Sequence, residues 1–132
     1  MNAFLVDLDN KPGELARMTE AVAAKGVDIV AVSGTTSGDR GKVAILTDNE
    51  EATSAALRSA GCSFRMTDAA EISLRAQLGS LAQATRRLAD GEVNIEALMV
   101  IGMDGNDIKV AFLTDAPAKA RTILATAESA LR

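Results

Sequence analysis

The sequence predicts an α+β fold in which one order of strands and helices occurs twice along 132 residues. Two observations support this prediction. Short apolar runs with a two-residue alternation are separated by amphipathic stretches with a helical period. In addition, the second half of the chain repeats the first with an offset of 66 positions, as from Gly13 to Gly79. A repeated pattern of this kind indicates two copies of one structural unit.

The first half begins with a predicted strand at about residues 2 to 9. One face of this strand is apolar, and the other face becomes polar toward its end. An amphipathic helix follows the corner at Pro12-Gly13 and ends at Gly26. Two further strands flank the Gly-rich segment 37–41, and this pattern predicts a hairpin.

The first half continues with Asp48, which is predicted to cap a second helix that ends at Gly61. A fourth strand is predicted from Cys62 to about residue 67. The resulting order is strand, helix, strand, strand, helix, strand. This order is typical of the ferredoxin-like arrangement, in which the helices cover one face of an antiparallel sheet.

The second half repeats these features, starting with a strand in which Ile72, Leu74 and Ala76 alternate with polar residues. Its register shifts by one residue near the hairpin, whose turn is predicted at 104–107. The final helix starts near Pro117, and no strand follows it, so the second module lacks its last strand. We therefore expect modules at 1–68 and 69–132, and an unpaired sheet edge that allows a homodimer.

Composition argues against several classes of function. The chain has no His and a single cysteine, Cys62, so we expect no metal site, no cofactor and no disulfide. Without a paired nucleophile and base we expect no enzyme. The net charge of −4 and the lack of a basic, aromatic-rich segment disfavour nucleic-acid binding. No apolar run approaches the ~20 residues of a membrane span, and we expect a soluble, cytoplasmic protein.

The stretch Asp9-Asn10-Lys11-Pro12-Gly13-Glu14-Leu15 after an apolar strand, followed later by Gly26-Val27-Asp28-Ile29, resembles an ACT domain. ACT domains are small βαββαβ regulatory modules that bind amino acids and occur attached to, or beside, enzymes of amino-acid metabolism. The resemblance covers nearly the whole chain as two tandem copies. It implies a non-enzymatic sensor of free amino acids, with an amino-acid-metabolism enzyme as a partner.

The first strand-to-helix loop has the chemistry that a free amino acid requires. The first turn of a helix offers unpaired N–H groups to a carboxylate, and acidic or amide side chains suit an ammonium group. The resemblance implies that the ligand also contacts the second-strand start of the other module. The candidate site therefore comprises Asp9, Asn10, Lys11, Pro12, Gly13, Glu14, Leu15, Val93, Asn94 and Ile95.

A second candidate site follows by exchange of the two modules. It combines the loop residues Gln77, Leu78 and Gly79 with Val27, Asp28 and Ile29. Here Leu78 replaces the proline of the first loop and the polar run is absent.

Two alternatives stay open at this point. Pro12-Gly13 can be simple turn chemistry, and Asp28 and Asn94 can serve only to hold the start of a strand. For the whole protein, the alternative is an interaction subunit that docks on an enzyme without a ligand of its own.

Overall fold

The computed structural model describes residues 1–131, with side chains described up to Thr126. The chain forms two compact units. The first unit is Asn2–Met66, and the second comprises Thr67–Arg132 together with Met1. Ten elements follow one another: β1 (Asn2–Asp9), α1 (Glu14–Ala24), β2 (Ile29–Ser37), β3 (Arg40–Thr47), α2 (Glu50–Ser59), β4 (Ser63–Leu74), α3 (Ser80–Asp90), β5 (Ile95–Asp104), β6 (Asp107–Thr114) and α4 (Pro117–Leu131).

In the first unit, β3 pairs antiparallel with both β1 and β2. Alternate residues of these strands point to one face of the sheet, where α1 and α2 cover them. This face holds the first core, in which every second residue of the strands meets the apolar stripe of each helix. Its buried members are Phe4, Val6, Leu8, Met18, Val22, Val27, Val43, Ile45, Ala56, Leu57 and Cys62.

The second unit has the same plan, because β6 pairs antiparallel with both β4 and β5 and the helices α3 and α4 cover one face. The antiparallel α+β fold that the sequence predicts is thus confirmed in each unit. Within the described residues, no strand follows α4. The predicted apolar positions Ala127 and Leu131 of α4 lie outside the described side chains.

The predicted repeat register is also confirmed. Helix α3 begins and ends 66 positions after α1, from 14 to 80 and from 24 to 90. Strand β6 begins and ends 67 positions after β3, from 40 to 107 and from 47 to 114. The extra residue lies in β5, whose pairing with β6 shifts register between Val100 and Gly102. A β-bulge therefore absorbs the single insertion without disturbing the strands around it.

Two expectations for the element boundaries are wrong. The strands predicted near Cys62 and near Ile72 form one strand, β4, which continues from Ser63 to Leu74. No Gly or Pro interrupts the extended conformation over this range, so the boundary between the repeats has no turn.

The cap of α2 is the second correction. Asn49, not Asp48, occupies the N-cap, in an extended conformation with φ −150°, and its Oδ1 accepts a hydrogen bond from the N–H of Ala52 at 3.0 Å. The carboxylate of Asp48 accepts instead from the N–H of Asp28 at 2.9 Å. The side chain one position closer to the helix is the one within reach of the first turn.

Met1 belongs to the second unit through Asp68 and Ala69. Its carbonyl accepts a hydrogen bond from the N–H of Ala69 at 2.9 Å, and its ammonium lies 3.3 Å from Asp68 Oδ1. Arg121 of α4 donates to the other oxygen of Asp68 at 2.5 Å. The hydrogen bond from Arg121 is the main cause that lowers the pKa of Asp68, and the N-terminal ammonium adds to it.

Acid unfolding tests the role of Asp68. Because its folded pKa lies below the ordinary value of 3.8, its contribution to stability is present above that pH and is lost as the pH falls through the folded pKa. We expect Asp68→Asn to lower the free energy of unfolding by less than ~1 kcal/mol at neutral pH, since the carboxylate is 35% exposed. In the variant, the free energy of unfolding should also fall less steeply as the pH is lowered. Asp39→Asn, at an unpaired turn carboxylate among the described residues, is the control for urea unfolding at pH 3 to 7.

A second prediction concerns the two cores. Phe4 faces Ile45 across β1 and β3, and the equivalent pair in the second unit is Ala70 and Phe112. Each core therefore has one phenylalanine in this pair, on opposite strands. We expect Phe4→Ala to destabilise the protein by about 3–5 kcal/mol, because it leaves a cavity. Addition of Ile45→Phe reproduces this pair as it occurs in the second core and should recover at least ~1 kcal/mol in urea unfolding. A double variant whose loss equals the sum of the single losses would refute this equivalence.

Candidate functional site

The loop between β1 and α1 turns at Gly13, which has φ 92° and is the N-cap of α1. A residue with a side chain rarely adopts this left-handed backbone conformation, so the corner favours glycine. No side chain caps the helix. Among the described residues, the N–H groups of Gly13, Leu15 and Ala16 donate to no backbone carbonyl. The helix therefore starts with free donors at the positive end of its dipole.

The same corner recurs in the second unit but not at α2. Gly79 precedes α3 with φ 91°, again without a side-chain cap. In contrast, Asn49 caps α2. Uncapped helix starts are therefore a property that α1 and α3 share at their strand-to-helix loops.

A cleft of ≈ 540 Å³ lies beside the first corner, on the sheet face that also carries the helices. We call it the first cleft. Loop and helix residues form one part of it, and residues of all three strands form the rest. It is lined by Leu8, Asp9, Asn10, Lys11, Glu14, Leu15, Val32, Gly34, Thr35, Thr36, Gly41 and Val43.

The charged groups of the first cleft differ in whether they are paired. Asp9 forms an ion pair with Arg40, and Glu14 accepts a hydrogen bond from Arg17 Nε at 2.9 Å. This hydrogen bond is the main cause that raises the pKa of Arg17. Lys11 is the cation among the lining residues, and its ammonium forms no hydrogen bond or ion pair with any residue that the structure describes. An anion at this end of the cleft would therefore meet Lys11 and the open helix start.

Asn10 has a positioning role in the loop. Its side-chain Nδ2 donates to the carbonyl of Gly38 at 2.9 Å, and its backbone N–H donates to the carbonyl of Asp39 at 2.9 Å. Both bonds hold the loop against the β2–β3 turn. One of the two N–H donors of its side chain is thus used within the protein, while the other can still donate and Oδ1 can still accept.

The predicted segment Val93 to Ile95 lies at the start of β5 in the second unit. Val93 is buried in the second core and Ile95 packs against it. The N–H of Asn94 donates to Asp115 Oδ1 at 2.9 Å, and the N–H of Asp115 donates back to the carbonyl of Asn94 at 3.1 Å. The backbone of Asn94 therefore holds the start of the strand. Its contact with a ligand of the first loop stays a prediction.

Val27, Asp28 and Ile29 have the same arrangement in the first unit. Val27 is buried in the first core, Ile29 packs on it, and the N–H of Asp28 donates to Asp48. For the backbones of Asp28 and Asn94, this arrangement matches the alternative in which they hold a strand start.

The loop of the second candidate site borders a smaller cleft of ≈ 300 Å³, the second cleft. Gln77 lines it, Gly79 forms the corner, and the side chain of Leu78 is fully exposed. The pairing of this loop with Val27 to Ile29 stays a prediction. The second cleft is lined by Leu74, Arg75, Ala76, Gln77, Ser80, Leu81, Leu98, Val100, Ile108 and Val110.

The sequence did not predict several residues of the first cleft, because they lie on the strands and not in the loop. They are Leu8, Val32, Gly34, Thr35, Thr36, Gly41 and Val43. One signal could have indicated them, since a glycine within a strand often marks a place where another group approaches the backbone. Gly34 and Gly41 are such glycines.

The chain matches the family model of the ACT domain pair over residues 1–130. It belongs to the ACT domain pair family. The resemblance to two tandem ACT domains is thereby confirmed. ACT domains are regulatory modules, and this ACT pair is therefore assigned a regulatory role. No curated protein sequence matches the chain.

Solved structures share the fold at low identity. A Bacteroides thetaiotaomicron protein is 22% identical with a TM-score of 0.79, over 95% of this chain and 86% of that one. The regulatory subunit of aspartate kinase from Thermus thermophilus, in its ligand-free form, is 19% identical with a TM-score of 0.65, over 96% and 90%. The corresponding subunit from Thermus flavus is 19% identical with a TM-score of 0.61, over 96% and 90%. In the described part of this ACT pair, no helix has the length and apolar character to span a membrane.

The bonds of Asn10 lead to a test of loop positioning. We expect Asn10→Ala to destabilise the protein by about 1 kcal/mol, because the side-chain bond to Gly38 is lost. The amide of Asn10 should also exchange its hydrogen faster, since the loop is then held by a single bond. Asn106→Ala, in the second hairpin turn where the side chain makes no hydrogen bond with described residues, is the matched control. Equal exchange at residue 10 in the Asn10→Ala variant and the wild type would contradict the positioning role.

Proposed function

We propose that this ACT pair is a non-enzymatic sensor that binds a free amino acid in the first cleft and passes the binding signal to a partner. The observation that carries the proposal is the unpaired Lys11 ammonium beside an uncapped helix start at one end of a ≈ 540 Å³ cleft. This combination suits a small molecule that carries a carboxylate.

The same end of the cleft suits the ammonium group of an amino acid. Asp9 and Glu14 each use one carboxylate oxygen in a bond to an arginine. Their other oxygens accept no hydrogen bond from any described residue. A zwitterion can therefore place its carboxylate at Lys11 and the N–H groups of α1, and its ammonium at Asp9 or Glu14.

We also propose that the first cleft has no catalytic activity. Its hydroxyl side chains are those of Thr35 and Thr36, and in the described residues neither forms a hydrogen bond with a general base. Activation of a nucleophile requires such a base within hydrogen-bond reach. Binding without reaction is the chemistry that this set of residues supports best.

Partners of the ACT pair are proposed from its strand edges. Within its unit β2 pairs only with β3, and it exposes Val30 and Val32 by 51% and 54%. In the other unit β5 pairs only with β6 and exposes Val100 and Met103 by 60% and 62%. Strand edges with apolar side chains invite another strand. We propose a homodimer in the cytoplasm, with an enzyme of amino-acid metabolism as the regulated partner.

One alternative function is an interaction subunit that docks on an enzyme without a ligand of its own. The fully exposed Leu78, on the second loop, favours it, because such a leucine gains burial only from a partner. A Lys11→Ala variant separates the two functions. If the first cleft is a sensor, the variant needs about tenfold more amino acid to regulate the enzyme, whereas in the alternative it regulates the enzyme as the wild type does.

Thermal unfolding with single amino acids tests the proposal. A ligand at 100 times its dissociation constant should stabilise the folded state by ~2.7 kcal/mol and raise the Tm accordingly. Lys11→Ala should weaken binding about tenfold, because a charge-assisted hydrogen bond is lost. Lys25→Ala, at the exposed C-terminal end of α1, should bind as the wild type does. The proposal fails if no free amino acid at millimolar concentration changes the Tm or gives calorimetric heat.

A further inference from the structure

We infer that the ligand of the first cleft is an amino acid with an aliphatic side chain, and that the second cleft binds no amino acid. This inference rests on the proposed function and extends it to the ligand class and to the number of ligands per chain. It follows from where the charges lie, from two glycines in the strands, and from a comparison of the two clefts.

The ionic groups of the first cleft lie at one end only. Asp9 is the last residue of β1, Lys11 lies in the loop, and Glu14 is the first residue of α1. The lining residues that the strands contribute beyond Asp9 are apolar, glycine or threonine. A ligand that matches this distribution carries its charges on one end and none on the other, which describes an amino acid without an ionised side chain.

The other end offers apolar surface that a ligand can bury. Leu8 and Val43 are buried beneath the cleft, whereas Leu15 and Val32 at its sides are 51% and 54% exposed. No aromatic ring lines the first cleft. Aliphatic walls that are half exposed become covered when an aliphatic side chain lies between them, and this burial supplies affinity.

Two glycines keep this end of the cleft open. A Cβ on Gly41 would meet the Thr35 carbonyl and Thr36 Cγ2 at 3.5 Å, which is ordinary contact, and Gly41 does not have a positive φ. A Cβ on Gly34 would lie 3.3 Å from Val43 Cγ2, which is a tight approach. The backbone thus accepts a Cβ at Gly41, and we infer that the glycine serves to leave space above the strand.

The second cleft occupies the position in the second module that corresponds to the first cleft, but larger side chains fill part of it. Val100 stands at the position of Gly34, and Ile108 stands at the position of Gly41. The volume is correspondingly ≈ 300 Å³, against ≈ 540 Å³ for the first cleft.

The polar end of the second cleft differs as well. Arg75, Gln77 and Ser80 replace Asp9, Lys11 and Glu14, so no carboxylate lines the second cleft. Asp107 instead lines an adjoining depression of ≈ 620 Å³, which shares Arg75 and Gln77 with the second cleft but none of its leucine, isoleucine or valine side chains. The residues that the first cleft offers to a zwitterion are therefore present once per chain.

Isothermal titration calorimetry on the full chain tests the inference with leucine, isoleucine, valine, methionine, alanine, phenylalanine, aspartate and lysine. We expect one site per chain and an affinity for leucine or isoleucine at least tenfold above that for alanine, aspartate or lysine. Gly41→Ile, which copies the second cleft, should lower the affinity at least tenfold. Gly102→Ile makes the same exchange at a strand glycine with nothing within 4 Å of its Cβ position, and it should leave binding unchanged.

A second pair of variants keeps the test valid if Gly41→Ile fails to fold. Val32→Ser removes one exposed apolar wall and should reduce the preference for leucine over alanine several-fold. Val30→Ser, at a similarly exposed position of the same strand that does not line the cleft, should not.

Each remaining outcome decides against a different statement. If aspartate, lysine or phenylalanine binds most tightly and Gly41→Ile blocks it, the aliphatic class is wrong while the proposed function stands. Two sites per chain, or an unchanged affinity in both Gly41→Ile and Val32→Ser, would overturn the assignment to the first cleft alone. If no amino acid binds, the proposed function itself fails.

Discussion

The strand-to-helix corner at Gly13 is the constraint on which the rest of the site depends. A left-handed residue at the N-cap lets the chain turn from β1 into α1 within a few positions. Because glycine has no side chain, the corner is made without a capping group, and the first N–H groups of the helix stay unpaired. A helix start of this kind is stable only if water or a ligand satisfies these donors. The geometry that closes the module thus also leaves the N–H donors that the proposed ligand would use.

Duplication preserved the fold and changed the clefts. Both corners have a left-handed glycine, φ 92° at Gly13 and 91° at Gly79, and both cores keep one phenylalanine in the same cross-strand pair. The two clefts differ at specific positions, because the second copy has Val100 and Ile108 where the first has Gly34 and Gly41, and Ala76 in place of Asn10, whose amide bonds to the hairpin. A void in a core is costly, whereas a surface cleft can be filled at little cost to folding.

The sequence predicted the ACT fold because its evidence is local and repeated. Apolar periodicity, the Pro12-Gly13 corner and the 66-residue offset each depend on residues close in sequence. The loop half of the first cleft was accessible for the same reason. The strand half was not, because Gly34, Gly41 and Val32 meet the loop only through the register of three strands, which the sequence does not specify. The sequence did not reveal that β4 is one continuous strand or that Asn49 caps α2. Each of these outcomes depends on a choice between adjacent residues with similar propensities.

The central claim is that one amino acid binds per chain at the first corner. Amide chemical shifts of the ¹⁵N-labelled protein during titration with leucine test it most directly. We expect saturable shifts at Gly13, Leu15, Gly34 and Gly41, with little change at the equivalent amides of Gly79, Leu81, Val100 and Ile108. Equal shifts at both sets, or shifts that leave Gly13 and Leu15 unchanged, would contradict it.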